Sequence, residues 1–380
     1  MKGFDSRKAG IGVACGGSGG HFFPGLATAA ALEEAGAEPI LFLGRGNARR
    51  FVGSEANLPF PAVEIPASPF RVRSLRFYAD LLQGLRAARK TLRKRKVRAV
   101  LATGGFVSPA PVLAARSLGL PVYLHEANAI PGKANLWMAS LAKRCFVFFE
   151  EATGALGPRR CERAGVPVRP GFGGVSASEA RRELGLAETG PVILIAGGSQ
   201  GAAALNERML PAARRLLADF PGAQFIHLTG DLWAEKAREA YRAMGARALV
   251  AAFFDRMELA AAAADVAVGR AGASFLAELA AVRLPAVLVP LPNLAGNHQE
   301  RNAEAFARSG AARMVRQQRA TPVALYLEVR KLLLSEETRE RMKTRLAAWH
   351  FPDAGRRIAE RVLGDLGEIK CPAPAIVPAR

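Results

Sequence analysis

The sequence predicts an α/β protein of two like-built halves, each a doubly wound parallel sheet flanked by helices. Three observations carry this. Short apolar runs of strand length alternate with helical stretches along most of the 380 residues. The runs end in glycine loops that open helices, at 16–20 and 103–105 in the first half and at 197–201 and 269–272 in the second. A Gly- and Pro-rich stretch near residue 170 lies between the halves.

The first half opens with a buried strand at 11–15 (IGVAC), which runs into Gly16, Gly17, Ser18, Gly19, Gly20 and His21. A helix follows, with Pro24 in its first turn, where a missing N–H costs little, and Gly36 at its C-terminal cap. Residues 39–43 form the next strand. The loop does not spell GxGxxG, and Gly44-Arg45 stands where a nicotinamide site needs an acid, which argues against an oxidoreductase. Strand 99–102 ends in TGGFVS at 103–108, and strand 121–124 ends in HEANAIPG at 125–132. Ligands of open parallel sheets sit at the carboxyl ends of the strands. His21, Ser108 and the His125, Glu126 and Asn128 set therefore converge on one crevice. Capping of the helix that starts near Lys133 is a competing role for Glu126 or Asn128.

Residues 71–98 hold eleven Arg and Lys against the single Asp80, half of the net charge of +20. Leu75, Tyr78, Leu82, Leu85 and Leu92 recur at helical spacing and are expected to face the core. Phe70, Val72, Phe77 and Leu81 fall off that stripe and are expected on the surface among the arginines. Apolar side chains ringed by cations suit a surface resting on anionic lipid, with Phe70, Phe77, Leu81, Arg86, Arg89 and Lys90 as its contacts. A solvated basic helix is the plainer alternative; nucleic acid is the weaker one and is not expected.

In the second half the strands are expected at 192–196, 224–228, 248–252, 266–268 and 286–289. The loop GGSQGA at 197–202 permits a tight turn and leaves N–H groups at a helix start for an anion. Residues 269–274 (GRAGAS) repeat the plan, and their helix carries Glu278, placed to accept from two adjacent hydroxyls such as a ribose offers. Two helix N-termini and one acid suit a nucleoside diphosphate, although glycines also serve plain strand–helix turns. The halves are expected to be Rossmann-like domains facing a cleft. Residues 1–165 form the first, 166–175 the linker and 176–350 the second; 351–366 form a helix at the domain junction and 367–380 a flexible tail.

Composition bounds the rest. Half the residues are hydrophobic, which makes the chain globular. Cys15, Cys145, Cys161 and Cys371 are scattered without CxxC spacing, as in a reduced cytosolic protein. No run reaches the ~20 apolar residues of a membrane span, and the N-terminus lacks a signal peptide's apolar core. A cytoplasmic protein is expected, drawn to an anionic surface by a pI near 10.8. No acidic cluster suggests a metal, and no cofactor is expected.

These stretches resemble the MurG family of bacterial cell-wall glycosyltransferases. The resemblance rests on GGSGGHFFPG at 16–25, TGGFVS at 103–108, HEANAIPGKANLWMA at 125–139 and GGSQGA at 197–202. RAGASFLAE at 270–278, HQERNA at 298–303 and PDAGRRIAERV at 352–362 continue it in the family's order. It implies the two-domain GT-B fold and inverting transfer of N-acetylglucosamine from UDP-N-acetylglucosamine to the 4-hydroxyl of the N-acetylmuramyl unit of lipid I, giving lipid II. The acceptor is a polyprenyl-diphosphate-linked muramyl peptide, so the resemblance implies a peripheral place on the cytoplasmic face of the inner membrane.

The resemblance also implies roles. Ser199 meets the diphosphate, the Phe254 backbone the uracil, and Ala273, Ser274, Phe275, Leu276, Ala277 and Glu278 the ribose and phosphate. Glu278 takes the ribose hydroxyls and Gln299 the sugar. Ser18, Gly19, Gly20 and Asn128 approach the donor sugar, and Arg169 joins from the linker. The lipid acceptor falls to the first domain. His21 is the candidate general base, because an imidazole titrates near neutrality, with substrate orientation as its other possible role. The chain departs from the family at Phe106, a common Tyr, at Val166, a usual Asn, at Pro109-Ala110 and at Gly269, where Cys or Ser is frequent. A different glycolipid acceptor and a non-catalytic membrane-surface protein remain as alternative readings.

Overall fold

A computed structural model describes residues 8–46, 58–69, 74–198, 201–292 and 296–369. Its contacts divide the chain into two units. One takes residues up to Ala127, Pro131–Pro167 and the chain from Asp353 on; the other takes Asn128–Ile130 and Val168–Pro352.

The first unit is a seven-stranded sheet in the order β3-β2-β1-β4-β5-β6-β7. The strands are β1 (Gly10–Ala14), β2 (Glu38–Gly44), β3 (Ala62–Ile65), β4 (Val97–Ala102), β5 (Val122–Glu126), β6 (Arg144–Val147) and β7 (Cys161–Arg163). Every pairing is parallel. Both faces are covered, so the strands read as continuous apolar runs. Ile11, Val13, Leu41, Leu101 and Tyr123 join one core cluster, while Ala14, Phe42, Val100 and Leu124 join the other. β1 lies between β2 and β4, so strand order reverses there.

The second unit repeats the plan with six parallel strands in the order β10-β9-β8-β11-β12-β13. They are β8 (Val192–Ala196), β9 (Gln224–Leu228), β10 (Arg247–Ala251), β11 (Val266–Gly269), β12 (Ala286–Leu288) and β13 (Arg313–Met314). Here the reversal falls between β8 and β11, the strands that lead into the two glycine loops of this half.

The sequence places the helix at 351–366 over a domain junction. In the structure the Ala354–Asp365 helix belongs to the first unit and packs on the Gly19–Glu34 helix. Ile358, Val362 and Leu363 are buried in the same cluster as Phe22 and Leu32. Gly355 permits the approach, since a Cβ there would lie 3.1 Å from Ala31 Cβ. Asp365 then takes a two-pronged pair from Arg144, at 2.7 and 3.0 Å.

The Leu75–Lys94 helix turns a different face inward from the one its leucines suggest. Gly84, Ala88 and Leu92 are buried, and Leu81 packs against the core. Leu75 is 87% exposed, Tyr78 49% and Leu82 48%, so three side chains expected in the core are on the surface. Small residues decide this. A Cβ on Gly84 would lie 3.1 Å from Ala110 Cβ and 3.0 Å from Pro66 O, so backbones meet along a seam that a leucine stripe would hold apart. Of the expected membrane contacts, Phe77, Leu81 and Arg89 are half-buried, and Arg89 bonds Ser117 Oγ at 2.8 Å. Arg86 and Lys90 are exposed; Phe70 lies outside the described residues. No helix among the described residues is long and apolar enough to cross a membrane.

Candidate active site

In the first unit the loops after β1 and β4 close on each other through His21. Its Nδ1 lies 2.7 Å from the Thr103 carbonyl oxygen, and Thr103 Oγ1 donates to His21 O at 2.9 Å. A carbonyl only accepts, so Nδ1 carries a hydrogen and the lone pair of the neutral ring falls on Nε2. The ring rests on Gly104 and Gly105, at φ +97° and +75°, where a Cβ would stand 3.1 Å from its Cε1 or Cδ2. Gly17 carries the Phe106 ring in the same way, with Cε1 2.8 Å from where its Cβ would be. Gly25, the last residue of the GGSGGHFFPG stretch, seats the helix on β1: a Cβ there would overlap Cys15 Cβ. Gly19 is buried, whereas Ser18 and Gly20 are exposed at the helix start.

Three side chains expected at this crevice are structural instead. Ser108 is buried and donates to Gly104 O at 2.6 Å, fixing the β4 loop. His125 is buried with Nε2 2.8 Å from Gly165 O, and burial pushes its imidazole below the ordinary range. Glu126 Oε2 accepts from Gly132 N–H at 2.8 Å and Asn135 Nδ2 at 3.0 Å, which ties it to the start of the Lys133–Met138 helix. Polar residues at strand ends look alike in sequence whether they face a ligand or a backbone.

In the second unit Gly198 and Gly201 take φ +90° and +73°, and a Cβ on Gly201 would overlap the Thr229 carbonyl. Asn206 Nδ2 donates to that same carbonyl at 2.8 Å. Ser199 lies outside the described residues. The loop after β11 is fixed from below. Arg270 N–H donates to Ala196 O at 3.2 Å, and its buried guanidinium donates to Val289 O at 2.9 Å. Burial, with Arg208 adding to it, pushes that guanidinium down to about 10. Gly269, the family departure, gives its side-chain space to Phe275, whose Cε1 would stand 2.5 Å from a Cβ there.

The Ala273–Val282 helix starts after Gly272. N–H groups of a helix's first turn have no partner inside it. The Leu276 N–H already donates to Gly272 O at 3.0 Å, and Leu276 and Ala277 are buried. Ala273 is buried as well, so within the candidate run half-buried Ser274 and Phe275 and the Glu278 carboxyl are the parts suited to a ligand. Burial drives the Glu278 carboxyl up to about 7 against the opposing pull of Arg169, with Glu258 adding to the rise. Arg169 Nη2 lies 3.5 Å from Glu278 Oε1, and its Nη1 donates to Asp255 O at 2.8 Å. Arg169 thus joins Glu278 to the loop that carries half-buried Phe254.

Gln299 and Asn128 meet the β11 loop from another side. Gln299 Oε1 accepts from Ala271 N–H at 3.3 Å and Leu291 N–H at 3.0 Å, so the end it can offer a sugar is its –NH2. Asn128 Oδ1 accepts from Asn302 Nδ2 at 3.1 Å. Asn302 is fully buried and was not singled out in the sequence, although it lies three residues after Gln299 on one helix. That spacing was the available signal. Among the described residues no group of three or more His, Cys, Asp or Glu is set to hold a metal ion.

Comparison with known proteins agrees with this architecture. The glycosyltransferase family 28 N-terminal domain matches residues 11–147 and its C-terminal domain residues 192–358. A relative from Symbiobacterium thermophilum is 37% identical, over 92% of this chain and 94% of its own. One from Methylococcus capsulatus is 35% identical over 93% and 98%. Both are named UDP-N-acetylglucosamine–N-acetylmuramyl-(pentapeptide) pyrophosphoryl-undecaprenol N-acetylglucosamine transferase. The crystal structure of Acinetobacter baumannii MurG superimposes with a TM-score of 0.72 at 27% identity, over 93% of this chain and 99% of that one. A putative UDP-N-acetylglucosamine 2-epimerase from Listeria monocytogenes, 14% identical with a TM-score of 0.71, shares the fold.

Proposed function

The chain belongs to glycosyltransferase family 28, and from that membership we propose that it transfers N-acetylglucosamine from UDP-N-acetylglucosamine to the 4-hydroxyl of the N-acetylmuramyl unit of lipid I, giving lipid II. The observation that carries the reading is the convergence of Gln299, the Asn128 tether and the helix bearing Glu278 on the single loop after β11. A nucleoside with adjacent hydroxyls suits Glu278, and a sugar suits the amides of Gln299 and Asn128.

The chemistry follows from the side chains. The acceptor hydroxyl attacks the anomeric carbon as UDP leaves from the opposite face, which inverts the configuration. His21 Nε2 takes the hydroxyl proton, a role that contributes ~10²–10⁴-fold. Charge building on UDP is met by the helix start after Gly272 and by the loop at 197–202, Ser199 included. Arg169, held at Glu278 and Asp255, serves the nucleoside end.

Leu75, Tyr78 and Leu82, with Arg86 and Lys90, support peripheral attachment to an anionic membrane face, the cytoplasmic one, where a polyprenyl acceptor resides. Incubation with UDP-N-acetylglucosamine and a short-chain lipid I analogue tests the reading. A β-linked disaccharide product released with one UDP per turnover is expected. Hydrolysis of the donor alone, or no reaction, overturns it.

A further inference from the structure

Asn302 makes three side-chain hydrogen bonds from a fully buried position. Its Oδ1 accepts from Ala129 N–H at 2.9 Å, and its Nδ2 donates to Ala271 O at 3.1 Å and to Asn128 Oδ1 at 3.1 Å. The orientation of this amide is not free. A backbone N–H requires an oxygen and a backbone carbonyl requires an N–H, so the two main-chain partners fix which end is which. The third partner then has no choice: Asn128 must turn its own oxygen toward Asn302, and its –NH2 toward the opposite side.

We propose that Asn302 is a positioning residue that sets the Asn128 amide to donate, so that Asn128 offers N–H rather than oxygen to the substrate. The ligand group it meets is then an acceptor, such as a sugar hydroxyl oxygen, an N-acetyl carbonyl or a phosphate oxygen. The same Asn302 amide bonds Ala271 O while Gln299 bonds Ala271 N–H, so the backbone of this residue is held at both its donor and its acceptor. Asn128 and Gln299 are thereby locked to a common loop, and both present –NH2. This rests on the transferase reading above.

Two isosteric changes test it, with turnover of UDP-N-acetylglucosamine and a lipid I analogue as the readout. Asn128→Asp keeps an oxygen for Asn302 to bond and removes the N–H, so it should fold like the parent and lose kcat/KM as fully as Asn128→Ala, by tenfold or more. Asn302→Asp puts an oxygen where Asn128 and Ala271 need a donor, which turns the Asn128 amide over. It should cost tenfold or more alone, and add little further loss in the Asn128→Ala background. A merely structural Asn302 would instead give additive losses. A parent that transfers no sugar overturns the functional reading. An active parent with an active Asn128→Asp, or with additive losses in the cycle, overturns this assignment. If Asn302→Asp does not fold, Asn128→Asp decides.

Discussion

Arg169 holds Glu278 at 3.5 Å through one guanidinium nitrogen while it donates to the Asp255 carbonyl at 2.8 Å through another. The carboxyl still sits near 7, because burial outweighs the cation beside it. Ribose hydroxyls donate to a carboxylate better than to an acid, so the donor sugar binds the ionised form. Affinity for UDP-N-acetylglucosamine should fall roughly tenfold from pH 8 to pH 6, and Glu278→Gln should flatten the profile. Glu278→Ala should weaken binding by ~1.5–3 kcal/mol, the range for hydrogen bonds to a charged group. Calorimetric titration across pH checks both, and a pH-independent parent Kd would sink the ribose role.

The same carboxyl makes a prediction about stability. Its value in the folded chain, about 7, lies above the ordinary 4.5 of an exposed carboxyl. Its favourable contribution is therefore complete below about pH 4.5 and lost as pH rises through 7. Denaturant unfolding of Glu278→Gln against the parent should show the variant gaining up to roughly 3 kcal/mol between pH 5 and pH 8. A constant difference across that range would contradict it.

His21 is tethered at Nδ1, which leaves the base chemistry to Nε2. His21→Ala should lower turnover ~10²-fold or more with little change in UDP-sugar affinity, and the acid limb of the rate profile should disappear. Weakened donor binding with the limb kept would assign His21 to orientation instead.

The membrane prediction moves to the face the structure exposes. Replacing Leu75, Tyr78 and Leu82 with Ser should reduce sedimentation with anionic liposomes while sparing turnover of a soluble acceptor. Neutralising Arg86 and Lys90 should weaken it by about 1 kcal/mol each. Sedimentation equal to the parent's in both variants would leave only a solvated helix.

Asp365→Ala should release the closing helix from β6, since it removes both bonds from Arg144. A loss of roughly 1.5–3 kcal/mol on chemical denaturation is expected. Although burial opposes it, hydrogen bonds from Arg144 hold the Asp365 carboxyl below its usual range. This contribution is present above the ordinary carboxylate range and is lost as pH falls through the depressed value.

Local chemistry was enough to read the fold class, the central strands with the order of their loops and the positions of the glycine turns, but not the strands β3, β6, β7 and β13. Strand length, apolar runs such as VILIA at 192–196 and the stereochemistry of Gly104 or Gly201 are properties of a few adjacent residues. Packing settled the rest, because it depends on partners far along the chain. Leucine spacing names a stripe on the Leu75–Lys94 helix, yet Ala110 and Pro66 select the Gly84 face, where backbones can approach most closely. His125, Glu126 and Asn128 look equivalent in sequence. The Gly165 carbonyl and the Gly132 N–H claim the first two, and Asn302, 174 residues away, turns the third. A polar side chain's role follows from which complementary group lies within about 3 Å of it, and that distance is created only when the sheet and its helices have come together.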